Sequence, residues 1–107
     1  MKKGTVKVSV LYPNTENAKF DFDYYTGTHL QLVGGLLGGA LLGATAEKGL
    51  GGPTPGSAPE FIGMGNMYFN TIEDFQNAFG PNAEKIMGDL PNFTNIQPVI
   101  QISEVLA

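Results

Sequence analysis

The residues best suited to chemistry in this chain lie in one short aromatic segment, residues 22–30. This segment contains His29, the only histidine of the 107 residues. His29 follows Tyr25 by four positions, a spacing that puts both side chains on one face of a helix, one turn apart. Histidine exchanges a proton near neutral pH, and a neighbouring tyrosine hydroxyl can assist it without a cofactor. The pair therefore predicts an acid/base group with its partner, or a polar anchor for a ligand.

The helix that carries this pair has an apolar stripe, which directs the histidine inward. The stripe has three- and four-residue steps and comprises Phe22, Tyr25, His29, Val33 and Leu36. A surface helix turns such a stripe toward its core. His29 is therefore expected either at the polar centre of a ligand pocket or as a core histidine that bonds the backbone or Tyr25. No carboxylate lies at helical spacing from the ring, so the spacing shows no catalytic triad.

Two residues of a predicted strand are further candidates for the lining of a pocket. Asn66 and Tyr68 share one face of the strand predicted over residues 60–70, where most side chains are apolar. An amide on such a face can bond a ligand carbonyl, or a water that fills a gap. The predicted site thus has His29 and Tyr25 as catalytic residues, with Phe22, Asn66 and Tyr68 lining the ligand pocket.

The composition excludes several kinds of site. The absence of cysteine removes disulfides, thiolate catalysis, iron–sulfur clusters and cysteine zinc sites. One histidine, with no carboxylates gathered near it in sequence, predicts no metal site. All six cationic residues are lysines and the net charge is −4, which argues against nucleic acid as a partner. Heme bound through His29 remains an alternative, although no arginine is present to pair with its propionates. We expect no cofactor.

The hydrophobic patterns predict one domain, over residues 1–107, with four strands and two helices. The strands are predicted at residues 6–11, 41–50, 60–70 and 96–105, and the helices at residues 22–38 and 72–90, the second with a break at Gly80-Pro81. The order βαββαβ, with two right-handed units sharing one antiparallel sheet, is that of the ferredoxin-like α+β sandwich. Pro98 cannot donate a ladder hydrogen bond, so the last strand is expected at a sheet edge.

This topology places both helices on one face of the sheet and leaves the other face bare. Charged residues make up only 15% of the chain, against roughly 25% in an average soluble domain. The bare face is not polar enough in sequence to be left to water. We therefore expect a second copy to pack against it, which would make the protein a homodimer.

The run from Leu30 to Ala46 carries no charge, yet it does not predict a membrane segment. A spanning helix needs about 20 strongly apolar residues and usually basic flanks, whereas this run is interrupted by glycines. The amino-terminal strand alternates and contains Lys7, so it does not match a signal peptide. These features favour a cytoplasmic protein without membrane attachment.

Three segments, taken together, resemble the EthD family, small dimeric α+β barrel proteins named for ethyl tert-butyl ether degradation. The segments are residues 22–29, 68–79 and 89–98. The first is similar to the family's F-x-x-Y/W-x-x-x-H pattern, which falls on Phe22, Tyr25 and His29. Where the family continues His-x-Pro-Leu, this chain has Gln31 in place of the proline. The resemblance covers nearly the whole chain.

The resemblance implies a homodimer whose two sheets form a barrel, with a pocket in each subunit between sheet and helices. It favours binding of a small, mostly apolar organic compound in a catabolic or secondary-metabolite pathway, with cofactor-independent acid/base catalysis by His29 as the enzymatic form. One alternative is a non-catalytic accessory protein of an oxidative, ether-degrading system. The other is a heme-binding barrel.

Overall fold

A computed structural model describes all residues, 1–107, and contains one four-stranded antiparallel sheet. Its strands are β1 (Val6–Pro13), β2 (Gly43–Lys48), β3 (Phe61–Phe69) and β4 (Val99–Glu104). They lie in the order β2-β3-β1-β4, so β1 is central and β4 is an edge. The alternation of Val6 and Val8 with polar neighbours places both valines in the core. The predicted ferredoxin-like α+β fold with an antiparallel sheet is confirmed.

The first helical segment has three parts instead of the unbroken α-helix that the sequence predicts. They are α1 (Phe22–Tyr24), a π-helical turn (Tyr25–His29) and α2 (Leu30–Leu37). The Asp21 side chain begins the segment by accepting a hydrogen bond from the Tyr24 amide at 3.0 Å. In the π turn the Leu30 amide donates to the Tyr25 carbonyl, one residue further back than in an α-helix. Gly38 ends α2 with a φ of 59°, as the glycine pair predicts.

The second helical segment also combines α-helical and tighter turns. It comprises α3 (Ile72–Phe79), a 3₁₀ turn (Gly80–Asn82), α4 (Ala83–Gly88) and a second 3₁₀ turn (Leu90–Asn92). Thr71 caps α3 by accepting from the Asp74 amide at 3.0 Å, as the capping pattern predicts. The break expected at Gly80-Pro81 is a tightening of the helix and not an interruption, because proline is tolerated in a first turn.

Two strand predictions were too long. β2 is limited to Gly43–Lys48, and the glycine- and proline-rich residues on its carboxyl side form the connection to β3. β4 begins at Val99, directly after Pro98, which cannot donate to the ladder. Val99 is 51% exposed and Ile100 46% exposed, so this edge strand presents apolar surface. None of the helices has the length and apolar character needed to cross a bilayer.

The core has two parts, which meet at a cavity between the sheet and the helices. One part joins the sheet to α2 and α4, and its buried members are Val6, Val8, Val33, Leu37, Met67, Phe69 and Ile86. The other packs aromatic and aliphatic side chains around the π turn, and its buried members are Tyr12, Tyr25, Leu90, Phe93 and Ile96. Residues from both parts line the cavity, so the fold brings the aromatic cluster and His29 to an apolar space.

Candidate functional site

His29 ends the π turn and forms a hydrogen-bonded pair with a carboxylate from the second helical segment. The histidine is only 4% exposed, and its Nδ1 lies 2.9 Å from Oδ2 of Asp89. Asp89 is 60 positions further along the chain, in the short connection between α4 and the following 3₁₀ turn. Such a carboxylate fixes the orientation of an imidazole and stabilises its protonated form. We refer to these residues as the His29–Asp89 pair.

Asp89 is held in turn by two donors on its other oxygen. The Tyr24 hydroxyl donates to Oδ1 at 2.7 Å and the Asn92 amide donates to it at 2.9 Å. Burial by itself raises the pKa of Asp89, but the hydrogen bonds from Tyr24, Asn92 and His29 outweigh it and hold that pKa below its usual range. Donation to this carboxylate raises the pKa of Tyr24. Asp89 is therefore an ionised acceptor at neutral pH.

Tyr25 contacts His29 through its ring, while its hydroxyl is directed elsewhere. The two rings are stacked, with centroids 5.6 Å apart and planes 17° apart. The Tyr25 hydroxyl lies against Gly65 of β3, and the Tyr25 ring packs edge to face with that of Tyr12, with centroids 5.9 Å apart. Burial raises the pKa of Tyr25 to about 12, and burial also raises the pKa of Tyr12. Tyr25 thus supports the imidazole sterically, and its hydroxyl remains protonated.

The imidazole forms part of the wall of an apolar cavity of about 70 Å³. Fifteen of its 19 lining residues are hydrophobic, and none of the 19 carries a carboxylate or an ammonium group. A water needs roughly 10–15 Å³ on this measure, and a cavity of roughly 150 Å³ accepts benzene. The space therefore suits a small organic group, and a ring compound requires some side-chain movement. Ile100 of the edge strand lines the cavity and is 46% exposed, which puts the wall near β4 in contact with solvent.

The structure places the three predicted pocket residues differently from one another. Asn66 is among the lining residues, but its side chain lies beside Ser9, on the face of the sheet opposite to Val8 and Met67. It accepts from the Ser9 hydroxyl at 3.0 Å and donates to the Thr45 hydroxyl at 3.2 Å. Tyr68 and Phe22 lie outside the lining. Of the five predicted site residues, the structure brings the side chains of His29 and Tyr25 to the cavity.

Phe22 belongs to an aromatic contact at the start of α1. Its ring centroid lies 4.6 Å from that of Phe20, and the Lys48 ammonium lies 5.3 Å from the centre of the Phe22 ring. The predicted stripe from Phe22 to His29 requires a regular α-helix, but residues Tyr25–His29 form a π turn. The extra residue in that turn changes the angle between Phe22 and His29 around the helix axis. The rings of Tyr25 and His29 still stack, but Phe22 does not join them at the cavity.

Sequence spacing did not reveal Asp89, because local helical periodicity cannot report a contact across 60 residues. The only signal was that Asp89 begins the third segment resembling the EthD family. No group of three or more histidine, cysteine, aspartate or glutamate side chains that could hold a metal ion comes together.

A family model for the EthD domain matches residues 13–97 of the chain. This chain belongs to the EthD family. The matched region contains the His29–Asp89 pair, both helical segments, β2 and β3, and it confirms the resemblance seen in the sequence. A search of curated proteins found no match.

Solved structures agree with membership of the EthD family. An EthD-like protein from Ralstonia eutropha JMP134 is 42% identical, with a TM-score of 0.92, over 99% of this chain and 96% of its own. An ethyl tert-butyl ether degradation (EthD) family protein from Bacillus halodurans C-125 is 21% identical, with a TM-score of 0.66, over 95% of this chain and 99% of its own. A dimeric protein of unknown function with a ferredoxin-like fold, from Bacteroides fragilis NCTC 9343, is 13% identical with a TM-score of 0.51, over 97% of this chain and 99% of its own. The last two similarities concern the fold alone.

Proposed function

We propose that this EthD-family protein binds a small, mostly apolar organic compound in the cavity, with His29 as the polar group that contacts it. One observation carries the proposal: the imidazole bonds Asp89 at 2.9 Å through Nδ1 and also lines an apolar cavity without charged side chains. A ligand site of this kind combines a mostly hydrophobic wall with a few placed polar groups. The compound would belong to a catabolic or secondary-metabolite pathway, as the family resemblance implies.

In its enzymatic form the site would perform acid/base catalysis without a cofactor. Nε2 of His29 would take a proton from an acidic C–H or O–H of the bound compound and return it to another atom of that compound. Asp89 would stabilise the imidazolium that exists between the two transfers. Positioned proton transfer of this kind contributes about 10²–10⁴-fold to a rate. Tyr25 would hold the ring in place through its stacked contact.

A non-catalytic role in an oxidative, ether-degrading type of system is the second candidate. The observation that favours it is the position of the Tyr25 hydroxyl against Gly65, because His29 then contacts only the Tyr25 ring and has no tyrosine hydroxyl as a partner for proton transfer. Heme fits less well, since the macrocycle is much larger than a cavity of about 70 Å³. Binding and turnover are separable by experiment.

We also propose that the protein is a homodimer in which sheet surface is covered by a second copy. The exposed apolar side chains of β4 and the bare face of the sheet support this, as does the dimeric relative from Bacteroides fragilis. Sedimentation equilibrium at micromolar concentration is expected to give twice the chain mass. A species of the mass of one chain would contradict the dimer.

Native mass spectrometry of the purified protein tests the ligand proposal most simply. Wild type and a Thr28→Ala control, altered at an exposed neighbour of His29, are expected to retain the same small organic molecule. His29→Ala should retain it at least ten-fold less, because the cavity loses its polar contact. Equal retention by all three proteins would contradict the role of His29.

Deuterium exchange then distinguishes an enzyme from an accessory protein. If His29 transfers protons, an acidic carbon-bound hydrogen of the retained compound exchanges in D₂O with wild type and with Thr28→Ala, and not with His29→Ala. Binding without exchange in wild type would favour the accessory role.

A further inference from the structure

The environment of His29 leaves one edge of its ring facing the cavity. Tyr25 is stacked on one side at 5.6 Å, and the ring centroid of Phe93 lies 4.6 Å from that of His29. Asp89 occupies the Nδ1 edge at 2.9 Å and is not among the residues that line the cavity. The remaining edge, which carries Nε2, is therefore the part of His29 that a compound in the cavity meets.

The hydrogen bond to Asp89 determines what Nε2 can do. An ionised carboxylate only accepts, so Nδ1 must carry the hydrogen. In a neutral imidazole the other nitrogen then has a lone pair and no hydrogen. In the neutral ring, Nε2 consequently accepts a hydrogen bond from a bound compound and does not donate one.

The rest of the cavity offers little to a charged or strongly polar compound. Burial raises the pKa of both Tyr12 and Tyr25, so their hydroxyls remain uncharged, and the Asn66 amide bonds Ser9 and Thr45 on the other face of the sheet. The lining contains no ammonium or carboxylate group, so a buried ionic ligand would lose its hydration without an opposite charge in contact. An uncharged compound avoids this cost.

We infer that the cavity selects an uncharged hydroxyl compound, such as an alcohol, phenol or enol, whose O–H donates to Nε2 of His29. This inference rests on the proposed function, and it adds that the ligand donates a hydrogen bond to His29 through a hydroxyl group. A compound of the same size with only a carbonyl or ether oxygen would place that acceptor oxygen against the lone pair of Nε2, which is also an acceptor. The mismatch of an unpaired buried acceptor corresponds to about a ten-fold loss of affinity or more.

Asp89→Asn provides a direct test, because its neighbours favour one orientation of the new amide. Asn92 and Tyr24 both donate to Oδ1, so the oxygen of Asn at position 89 keeps these two hydrogen bonds only if it stays on that side. The amide nitrogen then faces Nδ1 of His29 and donates to it. Nδ1 becomes the acceptor, the hydrogen moves to Nε2, and the ring edge in the cavity changes from acceptor to donor.

Nitrogen-15 NMR observes this change without reference to any ligand. The chain has a single histidine, so a histidine-labelled sample contains one imidazole to assign. At pH 8.5, where an imidazole is ordinarily neutral, the wild-type ring is expected as the Nδ1–H tautomer and the Asp89→Asn ring as the Nε2–H tautomer. The Nε2–H tautomer in the wild type would overturn the inference, whatever the variant does.

2-Propanol and acetone, which share a three-carbon skeleton small enough for the cavity, test the ligand class by chemical-shift titration at the same pH. Wild type is expected to bind the alcohol at least ten-fold more tightly, and Asp89→Asn is expected to prefer the ketone. Equal affinities or a ketone preference in the wild type would overturn the inference and leave the proposed binding function standing. Failure of both compounds to bind the wild type would contradict the proposed function as well.

Discussion

The position of the Tyr25 hydroxyl against Gly65 gives a prediction whose size follows from the structure. A Cβ built on Gly65 would overlap the Tyr25 hydroxyl oxygen, while it would lie 3.4 Å from Cζ of the same ring. Gly65→Ala therefore clashes with the hydroxyl alone. In Tyr25→Phe the hydroxyl is absent, and the new methyl group meets the ring at ordinary contact distance.

The energies of these variants are expected to be strongly non-additive. Gly65→Ala overpacks the wall of the cavity and should cost about 1–3 kcal/mol of unfolding free energy. Tyr25→Phe removes one buried hydroxyl, which should change the unfolding free energy by about 1 kcal/mol. The double variant removes the clash, so its loss should be close to that of Tyr25→Phe alone. The coupling between the two sites is then about 1–3 kcal/mol.

Urea denaturation of the four proteins measures this coupling, with the slope of each transition checked for constancy. Gly35→Ala serves as the control partner, because Gly35 is exposed on α2 and an added Cβ there meets nothing within 4 Å. The changes in unfolding free energy caused by Gly35→Ala and Tyr25→Phe should add to within about 0.5 kcal/mol in the double variant. Additive energies for Gly65→Ala and Tyr25→Phe would refute the placement of the Tyr25 hydroxyl against Gly65 of β3.

Three further predictions concern stability and can be measured by the same denaturation experiment. Gly35→Ala alone should stabilise the protein by about 0.5–1 kcal/mol, because alanine loses less backbone entropy than glycine in a helix, and a lower midpoint would contradict this. Thr71→Ala should cost about 1 kcal/mol because the Asp74 amide loses its cap, whereas Thr71→Ser should retain most of that stability. Asp89→Asn should be less stable than wild type above pH 4 or so, the usual titration range of a free aspartate. The pKa of Asp89 is lowered in the folded state, so the stability that its ionised form provides is lost as pH falls through that lowered pKa. The difference in unfolding free energy between wild type and Asp89→Asn should therefore shrink at low pH. An unchanged difference at pH 2.5 would contradict a stabilising role of the ionised Asp89.

The local patterns of the sequence were sufficient for the layout of the fold. Alternating valines predicted β1, and the Thr71 cap predicted the start of α3, because both signals act between residues that are close in sequence. Gly38 ends α2 where the glycine pair predicted it, with a positive φ that suits glycine. Pro98 correctly marked β4 as an edge strand.

The candidate site was only partly predictable, because its key contact is not local. His29 and Tyr25 were identified from their spacing, and both lie at the cavity. Asp89 could not be paired with His29 from periodicity, since the contact depends on how the second helical segment packs against the π turn. The Tyr25 hydroxyl occupies space that is free because Gly65 has no side chain. No local sequence pattern links Tyr25 to a glycine 40 residues further along the chain.

Asn66 illustrates the same limit for a strand residue. Its polarity on an apolar strand indicated a special role, and the structure gives it two side-chain partners on neighbouring strands. Strand periodicity assigns a face to such a residue, but the hydrogen-bond partners depend on the strand order and register, which bring Ser9 and Thr45 opposite it.

A crystal structure of the wild-type protein soaked with 2-propanol would show whether His29 holds a hydroxyl compound in the cavity. We expect the alcohol inside the cavity, with its hydroxyl oxygen about 2.7–3.2 Å from Nε2 of His29 and the Nδ1–Asp89 bond unchanged. An empty cavity, or an alcohol bound there with its oxygen turned away from His29, would contradict the proposed role of His29.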